Sequence, residues 1–243
     1  MKALLLGDFS PTEFSSPLFA RRDVDLLFGD TLSLFEGKDI KLVNLEAAMT
    51  ESDRVIVLYH GGKEHCRYPS PRLLKACHAM AENGADVVLC QHSHCIGCYE
   101  EYNGCHILYG QGNFHFEYEN KEGEGWGSCL AVEYDTERGK IEFTPLVSNG
   151  KGGIRLANKG EKQDILLSFA KRNKALEKGE WKKGWQEFCQ SVKERYVKVV
   201  AEALGDSSTE RQNHKFAHYL DCEAHTDVWR ELFKTANHSN ETE

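Results

Sequence analysis

The residues of this chain best suited to chemistry are two carboxylates and three imidazoles: Asp8, Glu46, His60, His92 and His94. Each comes soon after a short apolar run. Ala3–Leu6 leads into Gly7-Asp8, Ile40–Val43 into Asn44-Leu45-Glu46, and Val55–Tyr59 into His60-Gly61-Gly62. Ala85–Leu89 leads into Cys90-Gln91-His92-Ser93-His94, and His106–Tyr109 into Gly110-Gln111-Gly112-Asn113. Imidazoles mixed with carboxylates form the nitrogen and oxygen ligand set of zinc, manganese or iron, not the all-oxygen set of calcium. A His-x-His pair on an irregular turn can aim both rings at one centre, and a carboxylate such as Glu46 can bridge two ions. Two ions about 3.5–4 Å apart are the usual clamp for phosphate-ester cleavage. Residues 60–115 hold seven of the eleven histidines and six of the nine cysteines, so metal chemistry concentrates there.

The elements that must position these groups are written in the same runs. They are four or five residues long, rich in Val, Ile and Leu, and do not alternate. That pattern predicts strands buried on both faces. Ligands of α/β folds bind beyond the carboxyl ends of such strands, so five run ends are expected to converge. Between two of the runs, Ser70 is a plausible N-cap, Pro71 suits the first helical position, and Leu73, Leu74, Cys77, Met80 and Ala81 share a face ahead of Gly84. This predicts a strand, helix, strand unit with parallel strands. Residues 129–134 and 140–146 read as a hairpin joined by Asp135–Gly139. Helices are expected near 161–178, 180–204 and 214–236, with a loop at 205–212. The apolar face Phe169, Leu176, Trp181, Trp185, Phe188 and Val192 reads as a packing surface, and His214, His218 and His225 as helix-surface residues.

Bulk properties exclude several classes. With 243 residues, 40% hydrophobic and 28% charged, the chain suits a globular domain with a helical appendage. A net charge of −8 gives nucleic acid or an anionic membrane nothing to attract. No apolar stretch is long enough for a membrane span or a signal peptide core, which predicts a cytoplasmic protein. The nine cysteines are expected as free thiols, including Cys95-x-x-Cys98, which lacks a second pair at zinc-ribbon spacing. Gly110-Gln111-Gly112-Asn113 precedes no helical pattern, which argues against a nucleotide-binding loop.

Gly7-Asp8, Asn44-Leu45-Glu46, His60-Gly61-Gly62-Lys63-Glu64, Gln91-His92-Ser93-His94 and Gly112-Asn113-Phe114 resemble, in order, the motifs of the CapA family of bacterial capsule and poly-γ-glutamate biosynthesis proteins. The resemblance implies the calcineurin-like metallophosphatase sandwich, an α/β fold of mixed β-sheets flanked by helices. It covers 1–147, shortened between 47 and 55, and leaves 148–243 as a C-terminal helical region packed on it. It implies one or two divalent ions (Mn, Zn or Fe) on Asp8, Glu46, His60, His92 and His94, with Glu46 bridging. It further implies Asn44, Gly62, Glu64 and Asn113 as substrate-contacting residues, and a phosphorylated or anionic polymer as substrate. His60, His65 and His115 become the candidate catalytic imidazoles, the last two for leaving-group assistance.

The sequence also departs from the family. Phe9 and Ser10 stand where many metallophosphatases place a histidine ligand, and Gly61 stands where a Trp is usual. Glu46 and His60 are fourteen residues apart, with no Asn or His between them. In the family this interval is a sizeable block that supplies a ligand amide and an imidazole. Two functions are compatible with these residues. One is metal-dependent phosphoester hydrolysis or a role in capsule polymer production. The other is a non-catalytic member that binds a metal or a partner. The shortened interval predicts one well-held ion, a weak second position, low hydrolytic activity, and exposed apolar surface bordering residues 47–56.

Overall fold

The computed structural model describes residues 3–9, 40–45, 54–114, 127–149 and 154–234. The chain divides into two compact units, Met1–Ser52 and Asp53–Glu243. In the first, β1 (Ala3–Phe9) and β2 (Ile40–Leu45) pair in parallel. Their register passes from Leu6 opposite Val43 to Asp8 opposite Asn44 across an irregularity.

The second unit is built on a sheet of β3 (Ile56–Tyr59), β4 (Val87–Cys90), β5 (Tyr99–Tyr102) and β6 (Cys105–Leu108), ordered β3-β4-β6-β5. β3, β4 and β6 run parallel, and β5 pairs antiparallel with β6. β4 and β6 are buried at every position, as unalternating apolar runs require. β3 differs, because it ends the sheet: Ile56 is 50% and Leu58 65% exposed. β5 is absent from the sequence reading because Tyr99-Glu100-Glu101-Tyr102 is polar. The available signal was Asn103-Gly104, whose φ values of 51° and 77° meet the demand of a two-residue hairpin for left-handed backbone at both turn positions.

Helix α1 (Pro71–Glu82) joins β3 to β4 as expected. The Ser70 hydroxyl accepts from the Leu73 N–H at 3.0 Å, and Gly84 comes after the helix at φ 96°. Leu73, Cys77 and Ala81 pack on one face of the sheet with Val88, Cys90, Ile107 and Tyr109. The alternate residues Val87, Leu89 and Leu108 face the other way and pack with Leu130 and Phe169. Leu130 belongs to a second, antiparallel sheet of β7 (Ser128–Asp135), β8 (Lys140–Ser148) and β9 (Ile154–Leu156). The fold is therefore an α/β sandwich of mixed sheets flanked by helices.

Four more helices complete the unit: α2 (Lys159–Glu177), α3 (Trp181–Ala203), α4 (Glu210–Asp221) and α5 (Glu223–Phe233). Capping boxes open α2 (Asn158 with Glu161) and α4 (Thr209 with Gln212). The single helix expected over 214–236 is two, because the backbone leaves helical geometry at Cys222 (φ −77°, ψ 121°). The bend returns Val228 to a core of Trp185, Cys189, Tyr196, Val199 and Tyr219, which a straight helix would carry it away from. All nine cysteines are free, and eight are buried.

Ser70 ties this helical region to α1. While capping α1 it donates to Asp227 Oδ2 of α5 at 2.6 Å, and Arg72 Nε donates to Asp227 Oδ1 at 3.0 Å. Ser70→Ala removes a cap and a charge-assisted bond to a buried carboxylate, and is expected to cost about 2–3 kcal/mol. Urea unfolding measures this. A loss below about 1 kcal/mol would mean that Asp227 finds another donor.

Candidate metal centre

Three loops leave the carboxyl ends of β3, β4 and β6 side by side. The ladder continues past the strands: Gln91 N–H donates to Tyr59 O and Gln111 N–H to Cys90 O, both at 3.0 Å. These bonds hold His60, Gln91-His92 and Gln111-Gly112-Asn113 in register around a cleft of about 600 Å³, whose far wall is Cys129, Leu130 and Ala131 of β7. Gly112 is required here. It sits at φ 85°, and a Cβ on it would lie 2.3 Å from Ser128 O. Gly112 thus serves close approach of the second sheet, and Gly110 close approach of the loop after β4, where a Cβ would lie 2.7 Å from Cys95 O.

Within the cleft, His92 Nδ1 and His60 Nε2 are 3.2 Å apart. That is close to the separation of two nitrogens on one tetrahedral ion, about 3.3 Å for bonds of about 2.0–2.1 Å. The other nitrogen of His92, Nε2, faces Glu64 Oε1 at 3.6 Å. Burial, aided by the neighbouring His60 and His94, lowers the His92 pKa against the pull of Glu64, which favours the neutral, ligating imidazole. His94 takes a left-handed backbone (φ 56°), and its Nδ1 meets Asn113 Oδ1 at 3.0 Å. With Nδ1–H donating to that amide, Nε2 keeps its lone pair. The rings of His92 and His94 are 5.9 Å apart, and the three imidazoles do not bring three donor atoms within 4.8 Å. His94 must rotate to join an ion held by the other two.

Glu64 is the most perturbed group beside the cleft. Burial opposes its ionisation, yet the Lys63 ammonium, which bonds it, and His92 together hold its carboxyl at about 2. Lys63 is buried, and burial lowers its own pKa. Behind it, Lys63 Nζ lies 3.4 Å from His225 Nδ1, which also meets the Tyr196 hydroxyl at 2.6 Å. Gly62 (φ 115°) turns the chain between His60 and this pair. Gly61 lies under the Tyr59 ring, whose Cε1 would be 2.3 Å from a Cβ there. The ring of Tyr59 thus fills the space that a side chain on Gly61 would need.

Of the residues singled out in sequence, His60, His92, His94 and Asn113 line one cleft, Glu64 faces His92 from beside it, and Gly62 and His65 stand on the loop that leaves β3, outside the lining. Glu64 addresses His92 and Lys63. His65 (φ 65°) bonds Ser93 O through its N–H at 2.8 Å, and burial lowers its pKa with Glu64 opposing. Asp8 and Asn44 are neighbours across the β1–β2 pair of the first unit. Glu46 and His115 lie outside the described residues. Gln91 and Gln111, named after the apolar runs but given no role, bond each other through their amides at 3.3 Å, and His225, read as a helix-surface residue, is 3% exposed. Nothing local marks His225, whose burial depends on the bend at Cys222.

An α/β sandwich with imidazoles gathered where parallel strands end is consistent with the calcineurin-like metallophosphoesterase superfamily. Residues 47–118 match the family described as "Bacterial capsule synthesis protein PGA_cap". The "PGA biosynthesis protein CapA" of Bacillus subtilis (strain 168) is 31% identical over 114 residues, 44% of this chain and 28% of that protein. The "Capsule biosynthesis protein CapA" of Bacillus anthracis is 35% identical over 75 residues, 31% of this chain and 17% of that protein. The matched parts are thus under a third of each relative's length. Asp8 and Glu46 precede the matched segment. No helix of the described residues is long and apolar enough to cross a membrane.

His225 makes the protein acid-sensitive. Burial, reinforced by Lys63, lowers its pKa from 6.5 to about 4. Above pH 6.5 the folded and unfolded chains are both neutral at this ring, and its contribution is fully present. As pH falls from 6.5 towards 4, only the unfolded chain takes up the proton, and stability drops by on the order of 2 kcal/mol. Denaturant titrations in the presence of a chelator, compared between wild type and His225→Gln, are expected to show this slope in the former only.

Proposed function

We propose that the cleft is a CapA-type metal centre that hydrolyses phosphate esters in the service of capsule or poly-γ-glutamate production. The observation that carries this reading is the facing pair His60 Nε2 and His92 Nδ1, 3.2 Å apart at the carboxyl ends of two parallel strands. The donor chemistry fits a zinc, manganese or iron ion. His60 and His92 would hold it, with His94 Nε2 as a third donor. Such an ion supplies a water acidic enough to act as hydroxide at neutral pH, and an electrophile for phosphoryl oxygen.

The chain's own residues orient and bind. Glu64 Oε1 faces His92 Nε2 at 3.6 Å, and its charge favours the tautomer with the proton on Nε2 and the Nδ1 lone pair towards the cleft. Asn113 does the same for His94. Gln91 stands at the cleft as an amide donor for an anionic group, and Leu130 and Ala131 wall it from one side. The names of the two Bacillus relatives support a place in capsule production. A second reading, metal binding without turnover, is favoured by His94 standing off from the other two rings and by the short interval between Glu46 and His60.

His60→Ala/His92→Ala is expected to lower the metal content of the purified protein by about one ion per chain, measured by elemental analysis. Unchanged content would remove the centre. Glu64→Gln should weaken metal affinity by about 10–100-fold while leaving the fold intact. Aryl phosphate monoesters and diesters, assayed with added manganese or zinc, separate the two readings. Hydrolysis that is lost in the double variant supports the enzyme, and metal binding without any hydrolysis supports the binding protein.

A further inference from the structure

Away from the cleft, the junction of α4 and α5 brings together His218, Cys222 and His225, with one donor atom of each within 4.8 Å of the others. Among the described residues this is the one such group. Its geometry is dictated by the chain. His218 and Cys222 are four residues apart and share the last-turn face of α4. Cys222 closes α4 and opens α5, and its carbonyl accepts from the His225 and Thr226 N–H groups at 3.0 and 2.9 Å. That first turn swings His225 back beside His218, ring centroids 5.2 Å apart.

The side chains are prepared for a ligand. Tyr219 stacks on His225 at 3.8 Å, and the buried Tyr196 hydroxyl engages His225 Nδ1 at 2.6 Å. A ring tied through Nδ1–H to an oxygen presents Nε2, the usual outer-shell support of a metal-bound histidine. Lys63 Nζ is 3.4 Å from Nδ1, and its charge is matched by Glu64. Cys222 is the only one of the nine cysteines that is not buried, and His218 is exposed, which leaves an entry path. The spacing His-x3-Cys-x2-His falls within the intervals between zinc ligands.

We propose that His218, Cys222 and His225 bind a zinc-class ion through two imidazoles and a thiolate, with a fourth position open to solvent. A contraction of the donors from within 4.8 Å to about 3.4–3.7 Å completes three corners of a tetrahedron. The ion clamps α4 to α5.

Cobalt(II) serves as the probe, because thiolate ligation gives a charge-transfer band in the near ultraviolet. The full-length reduced protein is expected to show this band, and so is His60→Ala/His92→Ala, which separates this site from the cleft. Cys222→Ser should abolish it. His218→Ala, a change at an exposed position, should weaken zinc binding by ~10-fold or more. In the unmutated protein zinc should slow modification of Cys222 by a thiol reagent. The proposal is overturned by absence of the band, by a band that persists in Cys222→Ser, or by a modification rate that zinc leaves unchanged.

Discussion

The parallel pairing of β4 with β3 on one side and β6 on the other is the constraint on which the rest depends. Parallel strands share a direction, so their carboxyl ends fall on one edge of the sheet, and the loops that leave neighbouring strands meet there. Here the backbone bonds run on beyond the strands, from Gln91 to Tyr59 and from Gln111 to Cys90. The loops inherit the register of the sheet, and His60 and His92 face each other as a result. β4 can hold this place because Val87–Cys90 are all apolar and all buried, with Val88 and Cys90 serving one core and Val87 and Leu89 the other.

The helical region is bound into that arrangement by polar links. Asp227 of α5 receives Ser70 and Arg72 from the start of α1, and His225 reaches Lys63. Burying Lys63, His225 and Asp227 and half-burying Glu64 is costly unless each finds a partner, and here each does. The loop Gly61–Cys66 is therefore shaped from two sides, by the sheet that launches it and by helices from the far end of the chain. The C-terminal helices belong to the same compact unit as the sandwich and cannot be regarded as a passive appendage.

Much of this was legible in the sequence, and the exceptions have physical causes. The apolar runs, the Ser70-Pro71 helix start and the Asp135–Gly139 hairpin are local signals, and the structure contains each of these elements. β5 was illegible as a strand because its stability comes from pairing with β6, not from apolar content. The bend at Cys222 involves no Gly or Pro. It is a tertiary choice made by Tyr219 and Val228 seeking one core. Half-exposed β3 reflects its place at the end of the sheet, which composition does not encode. The imidazole cluster of the cleft was legible because each ring comes directly after a strand. The role of Glu64 towards His92 was not, since it depends on a chain turn at Gly62.

The cysteines lend the molecule an asymmetry between its folded and unfolded forms. Burial pushes Cys105 and Cys189 up to about 12 and Cys129 up to about 11, and it raises Cys66, Cys95 and Cys98 as well. Thiols held there have almost no thiolate at neutral pH, so oxidants find little to attack while the chain is folded. Unfolding returns these thiols to ordinary acidity and opens all nine cysteines to solvent at once. Six of them lie within residues 60–115, close enough along the chain to cross-link in wrong pairings. Under oxidising conditions, then, each excursion to the open chain acts as a ratchet: a reversible fluctuation becomes a covalent trap, and the lifetime of the protein is set by how often it opens and not by how stable it is on average.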